Sequence, residues 1–205
     1  MNTINSDHVN SILDQEKLKE TLVCIFKQTH HIIEKYEYRL VGTSAALLRG
    51  VKLPAGDIDI LVKERQAVDA ISAALSSWDC VQPPEYLEKS RQYYSEFRVN
   101  GIELGISTVE WETEYDGIEC IGPGPWEHFD KIKCGQFAVQ TVSLELRLVS
   151  ELIRERPERY DPLIQYMKKK GVDLDLFRQG MAARGMPDER QEEVIQQLSQ
   201  RRLLK

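Results

Sequence analysis

The sequence predicts an α+β fold, with strands in the N-terminal part of the chain and helices in the C-terminal part. Residues 38–62 have the pattern of a strand, a small-residue turn, a short helix and a second strand. Residues 93–107 alternate apolar and polar residues around Asn100-Gly101, which is the pattern of a β-hairpin with a two-residue turn. From Ser143 onward, the pattern is helical. We therefore expect two domains, at residues 1–142 and 143–205.

The other elements follow from hydrophobic periodicity and from residues that begin or end an element. Pro83-Pro84 is expected to break the chain, Ser143 to cap a helix and Pro157 to open one. The expected helices run over residues 11–36 (one or two helices) and about 67–78, 144–156, 157–170, 173–184 and 188–203. Two further strands are expected near residues 131–134 and 137–141, and a second hairpin within residues 108–121.

Composition excludes several classes of protein. With 205 residues and 41% hydrophobic content, the chain can bury one sizeable core, or one core and a smaller helical domain. No apolar run approaches the length of a membrane-spanning helix, and the N-terminus lacks the pattern of a signal peptide. The four cysteines and four histidines show no zinc-binding spacing, so we predict reduced thiols and a cytoplasmic protein. The net charge of −6 argues against a surface that grips long nucleic acid.

The small-residue turn Gly42-Thr43-Ser44 has the features of a phosphate-binding segment. Gly42 has no Cβ, so its backbone can approach a ligand closely. Ser44 is predicted to cap a helix over residues 45–49, and Gly50 to follow its last residue. The N–H groups and partial positive charge of a helix N-terminus suit a phosphate. Arg49 is a second phosphate candidate, although a solvated helix residue would give the same pattern.

Asp57 and Asp59 begin the strand that follows. Residues i and i+2 of a strand point to the same face, so the two carboxylates project together. They repel each other unless a cation lies between them. A divalent metal explains the pair economically, because Mg²⁺ favours carboxylates together with substrate phosphate oxygens. The alternative is a strand with two solvated aspartates.

The combination of Gly42-Thr43-Ser44 with Asp57-Ile58-Asp59 resembles the signature of the nucleotidyltransferase superfamily related to DNA polymerase beta. The interval between the two parts is similar to that in the antibiotic-modifying and abortive-infection branches. The resemblance implies a mixed β-sheet flanked by helices and transfer of a nucleoside monophosphate from a nucleoside triphosphate to a hydroxyl, with release of pyrophosphate. It also implies that the two aspartates hold Mg²⁺ or Mn²⁺ and that the turn holds the β- and γ-phosphates.

The hairpin at residues 93–107 supplies a third acid. A two-residue loop pairs Arg98 with Glu103 across the hairpin. In the family, a third carboxylate comes from a strand beside the Asp-x-Asp strand. Glu103 matches it by position, as a metal ligand and as the group that accepts the hydroxyl proton. Arg98 is expected to reach the triphosphate once nucleotide is bound; the alternative is a static ion pair with Glu103. The polar face of the hairpin is predicted to carry Tyr94, Glu96, Arg98, Glu103 and Ser107.

Three other functions remain open from the sequence. The chain could be a module that binds nucleotide without turnover. It could be a toxin-type enzyme that modifies RNA, which the resemblance includes and the acidic net charge disfavours. It could also be an interaction protein whose acidic pair is only solvated. The expected partners are a nucleoside triphosphate and a hydroxyl acceptor, which is a small molecule, a protein or an RNA, and no membrane.

Overall fold

A computed structural model describes residues 13–109 and 120–199, and within these residues it contains seven strands and seven helices. The strands are β1 (Tyr38–Val41), β2 (Asp57–Val62), β3 (Asp79–Leu87), β4 (Gln92–Val99), β5 (Ile102–Thr108), β6 (Phe129–Cys134) and β7 (Phe137–Val142). The helices are α1 (Gln15–Ile33), α2 (Gly42–Leu48), α3 (Arg65–Ala74), α4 (Leu144–Ile153), α5 (Pro157–Lys170), α6 (Leu174–Ala183) and α7 (Asp188–Ser199). The predicted α+β class is confirmed.

The strands form one mixed sheet in the order β3-β4-β5-β2-β1-β7-β6. The central strand β2 pairs in parallel with β5 and antiparallel with β1. The β4–β5 hairpin turns at Asn100 and Gly101, whose φ angles are 53° and 76°. Positive φ at both positions is what a type I′ turn requires. The predicted pairing of Arg98 with Glu103 is confirmed.

The two faces of the sheet differ in polarity. One face is covered by α1 and α3 and forms the main apolar core. Its central residues are at most 2% exposed and include Ile58, Ile60, Phe97, Leu104 and Ile106. Because side chains alternate along a strand, the residues between them lie on the opposite face. The acids of β2 and β5 therefore share a face that these helices leave open.

The four C-terminal helices enclose a second apolar core. Its members include Leu148, Leu163, Phe177 and Ile195, and it extends to Ala46 of α2. The neighbouring residues Ala45, Leu47 and Leu48 belong to the sheet core. The short helix α2 therefore packs against both cores at once. Ser143 caps α4 as predicted, since its side chain accepts a hydrogen bond from the N–H of Leu146.

The structure also differs from the sequence prediction in places. Pro83-Pro84 does not break the chain, because β3 runs through it with two register shifts against β4. β3 lies at the edge of the sheet, where a proline needs no hydrogen bond on its outward side. Helix α3 ends at Ala74 rather than near Trp78. The hairpin expected within residues 108–121 lies largely outside the described residues. Within the described ranges, no helix combines the length and apolar character needed to cross a membrane.

Candidate active site

Three acidic residues lie on the open face of the sheet. Asp57 lies directly opposite Glu103 in the parallel pairing of β2 with β5, and Asp59 lies opposite Gly105. Neighbouring strands are separated by about 4.8 Å, and residues in register point to the same face. Asp57 and Glu103 are exposed, whereas Asp59 is partly buried. The structure thus brings together the three acids that were predicted from separate parts of the sequence.

The carboxylate of Asp59 lies between two residues that have no side chain. On one side is Gly42, with a φ angle of 67°; a Cβ there would lie 2.5 Å from Asp59 Oδ2. On the other side is Gly105, where a Cβ would lie 3.2 Å from Asp59 Oδ1. Each oxygen of the carboxylate therefore faces a different neighbouring segment. Glycine is required at position 42 by both the positive φ and the close approach.

The turn Gly42-Thr43-Ser44 is the first turn of α2. The helix begins at Gly42 with Val41 as its N-cap, so the prediction that Ser44 caps the helix is wrong. Ser44 is fully buried, and its hydroxyl donates a hydrogen bond to the carbonyl oxygen of Val41 at 3.1 Å. Thr43 is buried as well. Because both side chains point into the protein, the groups that this turn offers to a phosphate are backbone N–H groups.

The other end of α2 follows the prediction. Gly50 has a φ angle of 92°. The N–H groups of Gly50 and Val51 donate to the carbonyl oxygens of Leu47 and Ala46, which is the Schellman pattern of a helix C-terminus. This end stops the helix after two turns and directs the chain back toward β2.

Arg49 is not brought to the carboxylates. It lies at the C-terminal end of α2, whereas Asp59 lies beside the N-terminal end. Its guanidinium donates hydrogen bonds to the side chains of Asp130 and Thr141. Burial lowers the pKa of Arg49 from its ordinary value. The structure therefore assigns Arg49 to joining α2 with β6 and β7, and we do not include it among the phosphate-binding residues.

Arg98 lies at the border of the acidic group. Its Nη2 is 3.7 Å from Glu103 Oε1, and its Nη1 is 3.5 Å from Asp79 Oδ2 on β3. The side chains of Arg98 and Glu103 are 40% and 53% exposed. Ion pairs this exposed contribute at most about 1 kcal/mol. The guanidinium is thus shared loosely between two carboxylates. The contact with Asp79 was not predicted, because the register shifts of β3 have no local sequence signal.

Tyr94 and Glu96 of β4 extend the polar face beside Asp59. The Tyr94 hydroxyl donates a hydrogen bond to Glu96 Oε2 at 2.8 Å. Burial raises the pKa of Tyr94, and the hydrogen bond to Glu96 and the negative charges of Glu96, Asp59 and Asp57 raise it further. The phenol therefore stays protonated and acts as a donor. Both residues were predicted on this face but not as members of a site.

The carboxylates are a suitable donor set for a hard divalent cation. Mg²⁺ prefers oxygen ligands and usually keeps waters and substrate phosphate oxygens, so it needs one or two protein carboxylates. Across residues 13–109 and 120–199, no three His, Cys, Asp or Glu side chains already stand in a metal-binding arrangement. Gly42 brings the start of α2 against Asp59 Oδ2, so a cation on this carboxylate would lie beside the helix N-terminus.

Comparison with known proteins identifies the fold. No protein-family model matches the chain, and no curated protein matches it. A candidate nucleotidyltransferase from Thermotoga maritima superposes with a TM-score of 0.55 at 17% identity, covering 79% of this chain and 99% of that one. An antigenic nucleotidyltransferase-like protein from Paracoccidioides brasiliensis superposes with a TM-score of 0.53 at 12% identity, covering 92% of this chain and 94% of that one. The chain therefore has the fold of the nucleotidyltransferase superfamily.

Proposed function

We propose that the protein is a metal-dependent nucleotidyltransferase. It would move a nucleoside monophosphate from a nucleoside triphosphate to a hydroxyl acceptor and release pyrophosphate. The observation that carries the proposal is the register that sets Asp57 opposite Glu103, with Asp59 against Gly42 at the start of α2. Three acids on one face, next to a helix N-terminus, suit a cation that is shared with a triphosphate.

The three acids have two proposed tasks, which are to hold the cation and to accept the hydroxyl proton. Asp57, Asp59 and Glu103 would hold Mg²⁺ or Mn²⁺, which when bound neutralises phosphate charge and lowers the pKa of the acceptor hydroxyl. Glu103 is also the proposed acceptor of the hydroxyl proton. The acceptor oxygen then forms a bond to the α-phosphorus, and the bond from that phosphorus to the bridging oxygen of pyrophosphate breaks. Most of the rate gain would come from positioning and charge stabilisation.

The remaining binding groups come from α2 and β4. The backbone N–H groups of Gly42, Thr43 and Ser44 are proposed to bind the β- and γ-phosphates. Arg98 is proposed to turn toward the triphosphate when a cation recruits Glu103, since its planar fork suits either partner. The contacts of Arg98 with Asp79 at 3.5 Å and with Glu103 at 3.7 Å are long and exposed, so breaking them would cost little free energy.

The acceptor is proposed to be a hydroxyl group on a small molecule, a protein or an RNA. The net charge of −6 makes a long RNA the least favoured of the three, because RNA binding draws on basic side chains that neutralise phosphates. A nucleotide-binding module without turnover is the second candidate. A permanent pairing of Arg98 with Glu103 would favour it, because a carboxylate tied to arginine is a poor metal ligand.

The first prediction concerns the two aspartates. Asp57→Asn and Asp59→Asn should each weaken binding of Mn²⁺ with a non-hydrolysable triphosphate analogue and reduce pyrophosphate release by at least ~10²-fold. Calorimetry measures the binding, a coupled phosphate assay measures the release, and circular dichroism checks the fold. Asp69→Asn is the matched control, because Asp69 is an exposed acid on α3, across the sheet from the site. A folded Asp57 or Asp59 variant with normal binding and release would contradict the proposal.

The same assays separate the enzyme from the binding module. The wild-type protein is incubated with Mn²⁺ and each nucleoside triphosphate, in the presence of pools of small hydroxyl compounds, proteins or RNAs. An enzyme releases pyrophosphate with one of these pools, and the release depends on Asp57 and Asp59. Binding that depends on these aspartates without release in any pool would favour the binding module.

A further inference from the structure

The surroundings of Asp59 include three residues that the sequence motif does not contain. Gly105 lies opposite Asp59 on β5, and Glu96 lies opposite Gly105 on β4. A Cβ at Gly105 would lie 3.1 Å from both Cε2 and Oη of Tyr94, and 3.2 Å from Asp59 Oδ1. The tyrosine ring and the carboxylate therefore border the same small space. That space exists because residue 105 has no side chain.

We propose that Gly105, Tyr94 and Glu96 position the carboxylate of Asp59. The Tyr94 ring, fixed by Glu96, forms a wall on the Oδ1 side, while the backbone of Gly42 receives Oδ2 on the other side. The three are positioning residues, because they act through Asp59 and not on the substrate. The inference rests on the proposed function, since the orientation of Asp59 matters for a metal ligand.

The Tyr94 ring is held at both ends. Its backbone lies inside the sheet, paired with Ser107 of β5 and with Glu85 of β3. Its hydroxyl is anchored to a carboxylate, and hydrogen bonds to ionised groups are shorter and stronger than neutral ones. Because the ring is anchored, a side chain added at Gly105 would push mainly on the Asp59 carboxylate.

The effect on a metal should be measurable. Mg²⁺ and similar ions demand nearly octahedral ligand geometry, so a rotated carboxylate is a worse ligand. Loss of residues that orient a metal ligand typically costs 10- to 100-fold in metal affinity. We therefore expect Gly105→Ala to weaken binding of Mn²⁺ by about 10-fold or more.

The test measures Mn²⁺ binding to the nucleotide-free protein by electron paramagnetic resonance, so that it does not depend on an acceptor or on activity. The control for Gly105→Ala is Gly124→Ala. A Cβ at Gly124 would meet carbonyl oxygens at 3.8 and 3.9 Å, which is ordinary contact. The control should bind Mn²⁺ like the wild type. Thermal unfolding of each variant separates a change in stability from a change at the site.

Tyr94→Phe keeps the ring and removes its bond to Glu96, so it should weaken Mn²⁺ binding several-fold. Tyr93→Phe is a close control, because the Tyr93 hydroxyl also donates to a carboxylate, Asp69 Oδ1 at 2.9 Å, across the sheet from the site. Tyr93→Phe should leave Mn²⁺ binding unchanged.

In a Gly105→Ala and Tyr94→Ala double variant the ring no longer crowds the added methyl group. Its Mn²⁺ affinity should therefore exceed that of Gly105→Ala alone, a non-additive rescue.

The outcomes separate the two proposals. If Asp59→Asn abolishes Mn²⁺ binding while Gly105→Ala and Tyr94→Phe bind like the wild type, the proposed function stands and the positioning role is overturned. The positioning role is also overturned if Gly105→Ala and Tyr94→Phe only lower the melting temperature and leave Mn²⁺ affinity unchanged. If Asp59→Asn itself leaves Mn²⁺ binding unchanged, the proposed function fails first. Weaker binding in both variants, with unchanged controls and rescue in the double variant, supports the positioning role.

Discussion

At the scale of single residues, the site poses a charge problem. Asp57, Asp59 and Glu103 share one face on adjacent strands, and like charges this close destabilise one another. In the absence of a cation, the guanidinium of Arg98 lies 3.7 Å from Glu103 and offsets part of this repulsion. Under the proposed function, the same guanidinium would turn to the triphosphate when nucleotide and metal bind. Arg98 is therefore the residue at which the static and the switching interpretations of the ion pair can be told apart.

Arg98→Ala should tighten Mn²⁺ binding to the nucleotide-free protein and weaken binding of the triphosphate analogue. Removing the guanidinium releases Glu103 to the cation. Since an exposed pair is worth at most about 1 kcal/mol, the tightening should not exceed about fivefold. Calorimetric titrations with Mn²⁺ alone, and then with Mn²⁺ and the analogue, measure the two effects.

The control for this variant is Arg178→Ala, which breaks an exposed contact with Asp175 on α6 at 3.9 Å. Both affinities should stay at the wild-type value in the control. If Arg98→Ala also leaves both affinities unchanged, the pair with Glu103 is static, and the proposed role of Arg98 in nucleotide binding is wrong.

At the scale of elements, the β4–β5 hairpin places Glu103. Its two-residue turn fixes which residues of β4 and β5 face each other, and a shift of one residue would send Glu103 to the apolar face. Asn100 and Gly101 make the turn possible, because asparagine and glycine tolerate positive φ better than other residues do. The position of the third carboxylate is thus set by backbone conformation at the tip of the hairpin.

Gly101→Ala should lower the free energy of unfolding by about 1–2 kcal/mol, the cost of an L side chain in the left-handed region. A Cβ at Gly101 meets nothing within 4 Å, so the effect comes from the backbone alone. Urea denaturation measures it. Gly56→Ala is the control: its Cβ also meets nothing within 4 Å and its φ is not positive, so its stability should change by no more than about 0.5 kcal/mol. Equal stability of the two variants would mean that the positive φ at position 101 carries no cost for an alanine, against this prediction.

Sequence rules located elements well where the signal is local. The alternating residues and turn residues predicted β1 and β2 with the observed bounds and the hairpin with its register, because strand periodicity and type I′ turns depend on neighbouring residues. Rules of the same kind failed at Ser44, because the extended backbone of Val41 and the positive φ of Gly42 start the helix three residues earlier.

Features that depend on distant pairing could not be predicted. The proposed roles of Gly105 and Tyr94 follow from the parallel pairing of β2 with β5, which brings together segments more than forty residues apart. In the sequence alone, Gly105 is an ordinary strand glycine. Arg49 failed as a phosphate candidate for the same reason, since its partner Asp130 lies 81 residues further along the chain.

At the scale of the whole molecule, α2 connects the face that carries the three acids with the C-terminal helices. Ala45, Leu47 and Leu48 of this helix belong to the sheet core, and Ala46 belongs to the helical core. Beyond its last turn, the carbonyl oxygen of Arg49 accepts a hydrogen bond from the Tyr166 hydroxyl of α5 at 2.8 Å. Residues 1–142 and 143–205 are predicted as two domains, and a helix shared by both cores should couple their stability. We therefore expect the two parts to unfold together.

Phe177→Ala tests this coupling. Phe177 is fully buried in the helical core, so the substitution should cost about 3–5 kcal/mol. All three tryptophans, Trp78, Trp111 and Trp126, precede residue 143, so tryptophan fluorescence reports on residues 1–142. Far-UV circular dichroism at 222 nm is weighted toward the helices. If α2 couples the cores, the urea midpoints of both signals should fall together in Phe177→Ala. They should also fall together in the reciprocal variant Phe97→Ala, which removes a side chain from the sheet core. A fluorescence midpoint that stays at its wild-type value while the dichroism midpoint falls would mean that residues 143–205 unfold independently, and that the N-terminal end of α2 keeps its place without them.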